Sequence, residues 1–123
     1  MGRVALVVDD EPGMVAVVSR LLAEAGWAVH STHDATEAVM LAARVTPSVV
    51  LLDFVMPRMD GAAVIAAFRK QAALRTIPVV MMSGLPETMV RRKARHYAAF
   101  VRKPFEFDEL EAVLRRVAAR RRA

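Results

Sequence analysis

Five short runs rich in Val, Ile, Leu and Met alternate along the chain with longer stretches whose apolar residues recur at helical spacing. The runs Val4–Val8, Ala28–Thr32, Val49–Leu52, Val79–Met82 and Ala98–Arg102 predict strands. The first, third and fourth are apolar without interruption, as in strands covered on both faces by helices. Ala28–Thr32 alternates more and suits an edge. Pro12–Ala25 repeats Val15, Val18, Leu22 and Ala25 at helical spacing, and Gly26 stops that helix. Asp34 suits the N-cap of a second helix that turns Ala38, Leu41 and Ala42 inward, and Pro47 forbids its continuation. Three more helices are predicted at Ala62–Ala73, around Val64, Ile65 and Phe68, at the short, basic Glu87–Tyr97, and at Asp108–Arg121. The last carries Leu110, Val113, Leu114 and Val117 as one stripe. Strand and helix alternate five times, which predicts an α/β fold: one (βα)5 domain with a parallel sheet and right-handed crossovers.

Length and composition agree with this pattern. The 123 residues are the size of one domain, and 55% of them are hydrophobic, enough for a core. The longest uninterrupted apolar run, Ala62–Phe68, has seven residues, where a membrane-spanning helix needs about 20. No charged-then-apolar leader precedes the first strand, and there is no Cys for a disulfide or thiolate metal site. A cytoplasmic domain is expected. The net charge of +5 is uneven: residues 1–90 hold 7 basic and 9 acidic side chains, residues 91–123 hold 11 and 4. A basic end of this kind reads first as a solvated helix face running into a tail, and otherwise as a surface for an acidic partner or nucleic acid.

In open parallel sheets, ligands bind beyond the carboxyl ends of the strands. Strand one ends in Asp9-Asp10-Glu11, strand three in Asp53, strand four in Ser83-Gly84 and strand five in Lys103-Pro104. Carboxylates gathered on one rim repel one another unless a cation lies among them. Hard oxygen ligands with room for water suit Mg²⁺. An Asp neutralised by metal and facing a Lys and a Ser can attack phosphorus, with the cations stabilising the transferring oxygens. Each piece alone is ordinary, since an acidic pair often caps a helix and Asp60-Gly61 alone is a turn. Four strand ends in agreement make the signal. His30, His33 and His96 lack ligand spacing, and the Met residues fill the core. Trp27, between the first helix and second strand, is expected to report poorly on events at the rim.

The segments VVDDEP, LLDFVMPRMDG, VVMMSG and FVRKPF, in this order and spacing, resemble the receiver domain of bacterial two-component response regulators. The resemblance covers residues 3–119. It implies the flavodoxin-like sheet of order 2-1-3-4-5 and a phosphoacceptor role for Asp53, with a histidine kinase or histidine phosphotransfer protein as donor. It implies Mg²⁺ held by Asp10 and Asp53 directly, by Asp9 largely through water, and by the backbone carbonyl of Val55. Ser83 and Lys103 would bond the phosphoryl group, with a cis Lys103–Pro104 bond. Ser83 and Phe100 would form the switch that reports to the fourth helix, fifth strand and fifth helix. That face would carry Arg91, Arg92, Arg95, Arg115 and Arg116, so an acidic output partner is expected there. The resemblance also admits a phosphorylation-dependent dimer, and neither membrane nor nucleic acid is expected as a partner of this domain alone.

The domain is expected to span residues 1–119, with 120–123 a basic tail or the start of a severed linker. It would be a self-phosphorylating and self-dephosphorylating signalling domain and not an enzyme. Two other readings share the fold. A small phosphatase with an aspartyl nucleophile commonly has a second Asp two positions on, where this chain has Val55, and it also has a substrate-capping insertion that is missing here. A receiver fold kept only for binding has no need of all five of Asp9, Asp10, Asp53, Ser83 and Lys103. By the same resemblance, Val55 and Leu85 would flank the path of the hydrolytic water, where fast-resetting members of the family often place an amide or carboxylate. Neither can hydrogen-bond water, so slow loss of the phosphoryl group is expected.

Overall fold

The structure, a computed structural model, describes residues 3–122, with side chains through residue 120. Met1, Gly2 and Ala123, at the ends of the expected domain and tail, lie outside the described residues. Five strands, β1 (Val4–Val8), β2 (Ala28–Thr32), β3 (Val49–Asp53), β4 (Val79–Ser83) and β5 (Ala99–Arg102), form one parallel sheet of order β2-β1-β3-β4-β5. They alternate with α1 (Pro12–Glu24), α2 (Ala35–Val45), α3 (Gly61–Lys70), α4 (Glu87–Arg91) and α5 (Phe107–Arg122). This is the flavodoxin-like arrangement, with β2 and β5 as edges.

The uninterrupted apolar runs are explained by two cores. Leu6, Val8, Val50, Leu52, Val79 and Met81 face α2, α3 and α4. Their neighbours Ala5, Val7, Val49, Leu51, Val80 and Met82 face α1 and α5. Successive side chains of a strand point to opposite faces, so a central strand covered twice needs apolar residues at every position. Asp34 caps α2, its carboxylate accepting from Thr36 N at 2.9 Å. Asp60 does the same for α3, through Ala63 N at 2.9 Å.

The structure departs from the sequence reading in several places. β3 and β4 each run one residue further than their apolar runs, so Asp53 pairs with Met82 and Ser83 with Arg102. The fifth strand begins at Ala99 instead of Ala98. α3 ends at Lys70, three residues before Ala73. α4 is a helix of five residues and does not reach Tyr97. Arg69 ties together the segments that follow the two shortened helices: its guanidinium donates to the carbonyls of Arg75 and Ile77 at 2.9 Å each, and to that of His96. These bonds hold His96 in the left-handed region, at φ 66°, where a helix cannot continue. Leu41 is only partly buried, while Ala35, Ala38 and Ala42 are fully inside. Trp27 follows the first helix as expected, but its ring is buried. Its indole N–H donates to Glu111 of α5 at 3.0 Å, and the Arg3 guanidinium lies 5.7 Å from the ring centre. α5 is helical through Arg122, overlapping the residues set apart as a tail.

Candidate functional site

The loops after β1, β3, β4 and β5 meet at the carboxyl rim. Asp9 leaves β1 fully buried with both oxygens engaged. Oδ1 accepts from Glu11 N at 3.0 Å, and Oδ2 accepts from Lys103 Nζ at 2.9 Å. Asp53, the last residue of β3, is buried beside it, its Oδ1 3.4 Å from the same Nζ. Carboxylate oxygens of Asp9, Asp10 and Asp53 all lie within 4.8 Å of one another. Ser83 ends β4 with a buried hydroxyl that accepts from Leu85 N at 3.0 Å. Lys103 is fixed through its backbone, its N–H donating to Ser83 O at 2.8 Å, and the Lys103–Pro104 bond is cis. The side chains of Asp9, Asp10, Asp53 and Lys103 are thus drawn together, and Ser83 stands on the neighbouring strand end.

The electrostatics are those of an acidic site short of positive charge. Burial, then the Asp9 carboxylate, push the Asp53 carboxyl up to about 7, against the opposing pull of Lys103 and with a further push from Asp10. Burial works against the Lys103 ammonium, yet Asp9 and Asp53 outweigh it and hold it above its ordinary value. One ammonium facing this many carboxylates leaves the cluster under-neutralised. Such a set of hard oxygens fits a divalent cation of the Mg²⁺ type.

The other expected residues fall as follows. Val55 is 57% exposed, and Leu85 packs partly against the α2–α3–α4 core. Phe100 is half-buried against that core, with its ring 6.5 Å from Tyr97, whose hydroxyl donates to Glu87 at 2.9 Å. His30, His33 and His96 are exposed, and none of them joins the carboxylate cluster. Two residues gain a role that the sequence reading did not assign. Glu11 places Oε1 3.9 Å from Lys103 Nζ. Gly61, the first residue of α3, lies so close to β3 that an added Cβ would stand 2.9 Å from Asp53 O, Phe54 Cα and Met81 Sδ. The sequence signal for it was the Asp-Gly pair, which a turn explains equally well.

The family model for the response regulator receiver domain matches residues 5–115. Response regulator Rre1 of Synechocystis is 35% identical over 121 residues, covering 96% of this chain and 52% of that protein. The chain thus spans about half the length of that curated relative. Among solved structures, the receiver domain of the sensor histidine kinase PA1611 of Pseudomonas aeruginosa PAO1 superposes with a TM-score of 0.89 at 26% identity. It covers 97% of this chain and 99% of that one, and a magnesium ion is coordinated in its active-site cleft. Chemotaxis protein CheY4 of Vibrio cholerae superposes at 0.86 with 30% identity, covering 95% of this chain and 99% of that one.

Proposed function

Because the chain belongs to the response regulator receiver domain family, we propose that Asp53 accepts a phosphoryl group from a histidine kinase or histidine phosphotransfer protein in a Mg²⁺-dependent reaction. The observation that carries this reading is Lys103 Nζ, placed 2.9 Å from Asp9 and 3.4 Å from Asp53 within a cluster of three carboxylates.

An Asp53 oxygen forms the new bond to phosphorus as the bond from phosphorus to the donor imidazole nitrogen breaks. The imidazole departs with that electron pair and takes a proton from solvent. Asp53 must be ionised to attack, and its buried, repelled carboxyl holds a proton up to about pH 7. Positive charge at the cluster favours the reactive form, and Lys103 supplies part of it. Asp9, Asp10, Asp53 and the Val55 carbonyl would hold Mg²⁺. When bound, that ion supplies charge against the phosphoryl oxygens. Ser83 keeps its hydroxyl proton to donate to one of those oxygens, since its bond with Leu85 N uses only a lone pair.

Ser83 and Phe100 couple the site to the face formed by α4, β5 and α5, where an output partner would bind. Of the five arginines expected on that face, Arg92, Arg95 and Arg116 form no ion pair among the described residues, whereas Arg91 pairs with Glu87 and Arg115 with Glu111. An acidic partner, or a second copy in a phosphorylation-dependent dimer, fits there. No helix of the described residues is long and apolar enough to cross a membrane, in keeping with a cytoplasmic signalling domain, here taken as residues 1–119, that turns over no separate substrate.

Intact-mass measurement with acetyl phosphate and Mg²⁺ tests the reading. Wild type should gain one phosphoryl group stably, EDTA should block the gain, and Asp53→Asn should remain unlabelled. An Asp53→Asn protein that labels like wild type refutes the assignment, and continuous release of phosphate would favour the phosphatase reading.

A further inference from the structure

The rim of the sheet opposite Asp53 carries a chemically different surface. Where β4 and β5 begin, after Pro78 and Ala98, an open concavity of about 620 Å³ is lined by Arg69, Arg75, Ile77, Pro78, His96 and Tyr97 among others. A neighbouring hollow of about 340 Å³ shares Arg69 and His96 as walls and runs along α3 beside Ala62, Ile65 and Ala66, with Lys93 and Arg95 at its other side. Apolar side chains and cations line both. No carboxylate lines either one.

The cations divide into two kinds. Arg69 is spent on structure, its guanidinium held by the carbonyls of Leu74, Arg75, Ile77 and His96. Burial lowers its pKa, and those carbonyls are what it has in place of a carboxylate. This clamp fixes the wall between the hollows. Arg75, Lys93 and Arg95 are exposed and form no ion pair among the described residues, Arg75 donating only its Nε–H to Arg69 O at 3.2 Å, whereas Arg91 and Arg115 each have a Glu partner. Three uncompensated cations around two apolar hollows are complementary to carboxylates interleaved with apolar side chains. A nucleic-acid backbone asks for a row of cations and for aromatic platforms, and it would leave the aliphatic lining of Ala62, Ile65, Ala66, Ile77 and Pro78 unused.

We propose that this amino-terminal rim docks an acidic segment of a partner protein whose apolar side chains enter the two hollows. A five-residue strand spans roughly 16 Å, which separates the concavity at Pro78 and Ala98 from the phosphoacceptor site, while the second hollow runs along α3 as far as Ala62. Neither is lined by Asp9, Asp10, Asp53, Ser83 or Lys103. The inference does not depend on the phosphoacceptor reading.

The probe is a synthetic peptide alternating Glu with Leu, titrated into the isotope-labelled full chain and followed by amide chemical shifts. An all-Glu peptide of equal length and a DNA duplex serve as comparators. Saturable shifts should centre on residues 62–66, 75–78 and 93–98 and persist in Asp53→Asn. Affinity should fall at least about tenfold between roughly 50 and 300 mM salt, and by a similar factor in Arg75→Glu/Lys93→Glu/Arg95→Glu. The milder Lys93→Gln/Arg95→Gln protein, whose spectrum elsewhere should match wild type, should bind several-fold more weakly. The all-Glu peptide should bind more weakly than the mixed one. The proposal is overturned by absence of saturable binding, by shifts centred on another face, or by unchanged affinity in both variants. Equal affinity for the all-Glu peptide, or tighter binding of DNA at the same residues, overturns it as well.

Discussion

Replacing Asp53 by Asn should stabilise the metal-free protein, and by an amount that depends on pH. The folded-state carboxyl is raised to about 7 from an ordinary 3.8, first by burial and then by repulsion from Asp9. A raised carboxyl binds its proton more tightly in the folded state than in the unfolded one. Stability from this group is therefore complete below about pH 4 and declines as pH rises towards about 7, where the folded state ionises as well. The roughly two pH units between pH 5 and the folded value correspond to a ceiling of about 2.7 kcal/mol, at ~1.36 kcal/mol per unit. Relaxation around Lys103 and entry of water reduce this, so the advantage of Asp53→Asn over wild type should grow by about 1–2 kcal/mol from pH 5 to pH 8. For a chain of this length that is on the order of 3–10 °C in Tm. The assay is thermal or urea unfolding of both proteins in EDTA at the two pH values. Mg²⁺ should then raise wild type at pH 8 while leaving Asp53→Asn nearly unmoved, because the cation relieves a repulsion the amide lacks. A variant no more stable than wild type at pH 8, or an advantage that does not change with pH, would refute the electrostatic account of the cluster.

Three further outcomes follow from the geometry. Gly61→Ala puts a Cβ 2.9 Å from two backbone atoms of β3 and its loop, so it should cost about 1–3 kcal/mol in urea unfolding and slow acetyl-phosphate labelling by displacing Asp53. Val55→Asn and Leu85→Glu should each speed loss of the phosphoryl group about 10- to 100-fold by orienting water, timed by intact mass after the donor is removed. If neither changes the rate, these side chains do not control the water. Glu111→Ala leaves the buried Trp27 N–H without its partner, so it should destabilise the fold by about 1–3 kcal/mol and shift Trp27 emission, and unchanged emission would mean that the indole does not sense α5.

The local pattern was enough to locate most elements. Continuous apolar runs marked β1, β3 and β4 because a doubly covered strand has no polar side, and Asp34 marked α2 because few residues cap as it does. The motif segments singled out Asp9, Asp10, Asp53, Ser83 and Lys103 as candidates, and their resemblance to a family supplied the strand order, which periodicity does not encode. What the sequence left undetermined depends on partners distant along the chain. β3 and β4 extend to Asp53 and Ser83 because neighbouring strands pair with those residues, although their side chains end the apolar pattern. α4 stops at Arg91, and Arg69, far back in the chain, fastens His96 where helical periodicity would have carried on. Trp27 looked like a turn residue until α5 folded over it with Glu111 in reach, and Gly61 looked like half of a turn until β3 came within contact of its Cα. The raised carboxyl of Asp53 belongs to the same class. A lone aspartate in sequence has an ordinary pKa, and only burial against Asp9 and Asp10, set there by two other loops, changes it. Periodicity and capping are properties of a segment and can be read from it; burial, close approach and the field at a charged group are sums over the whole fold, and only the tertiary structure decides them.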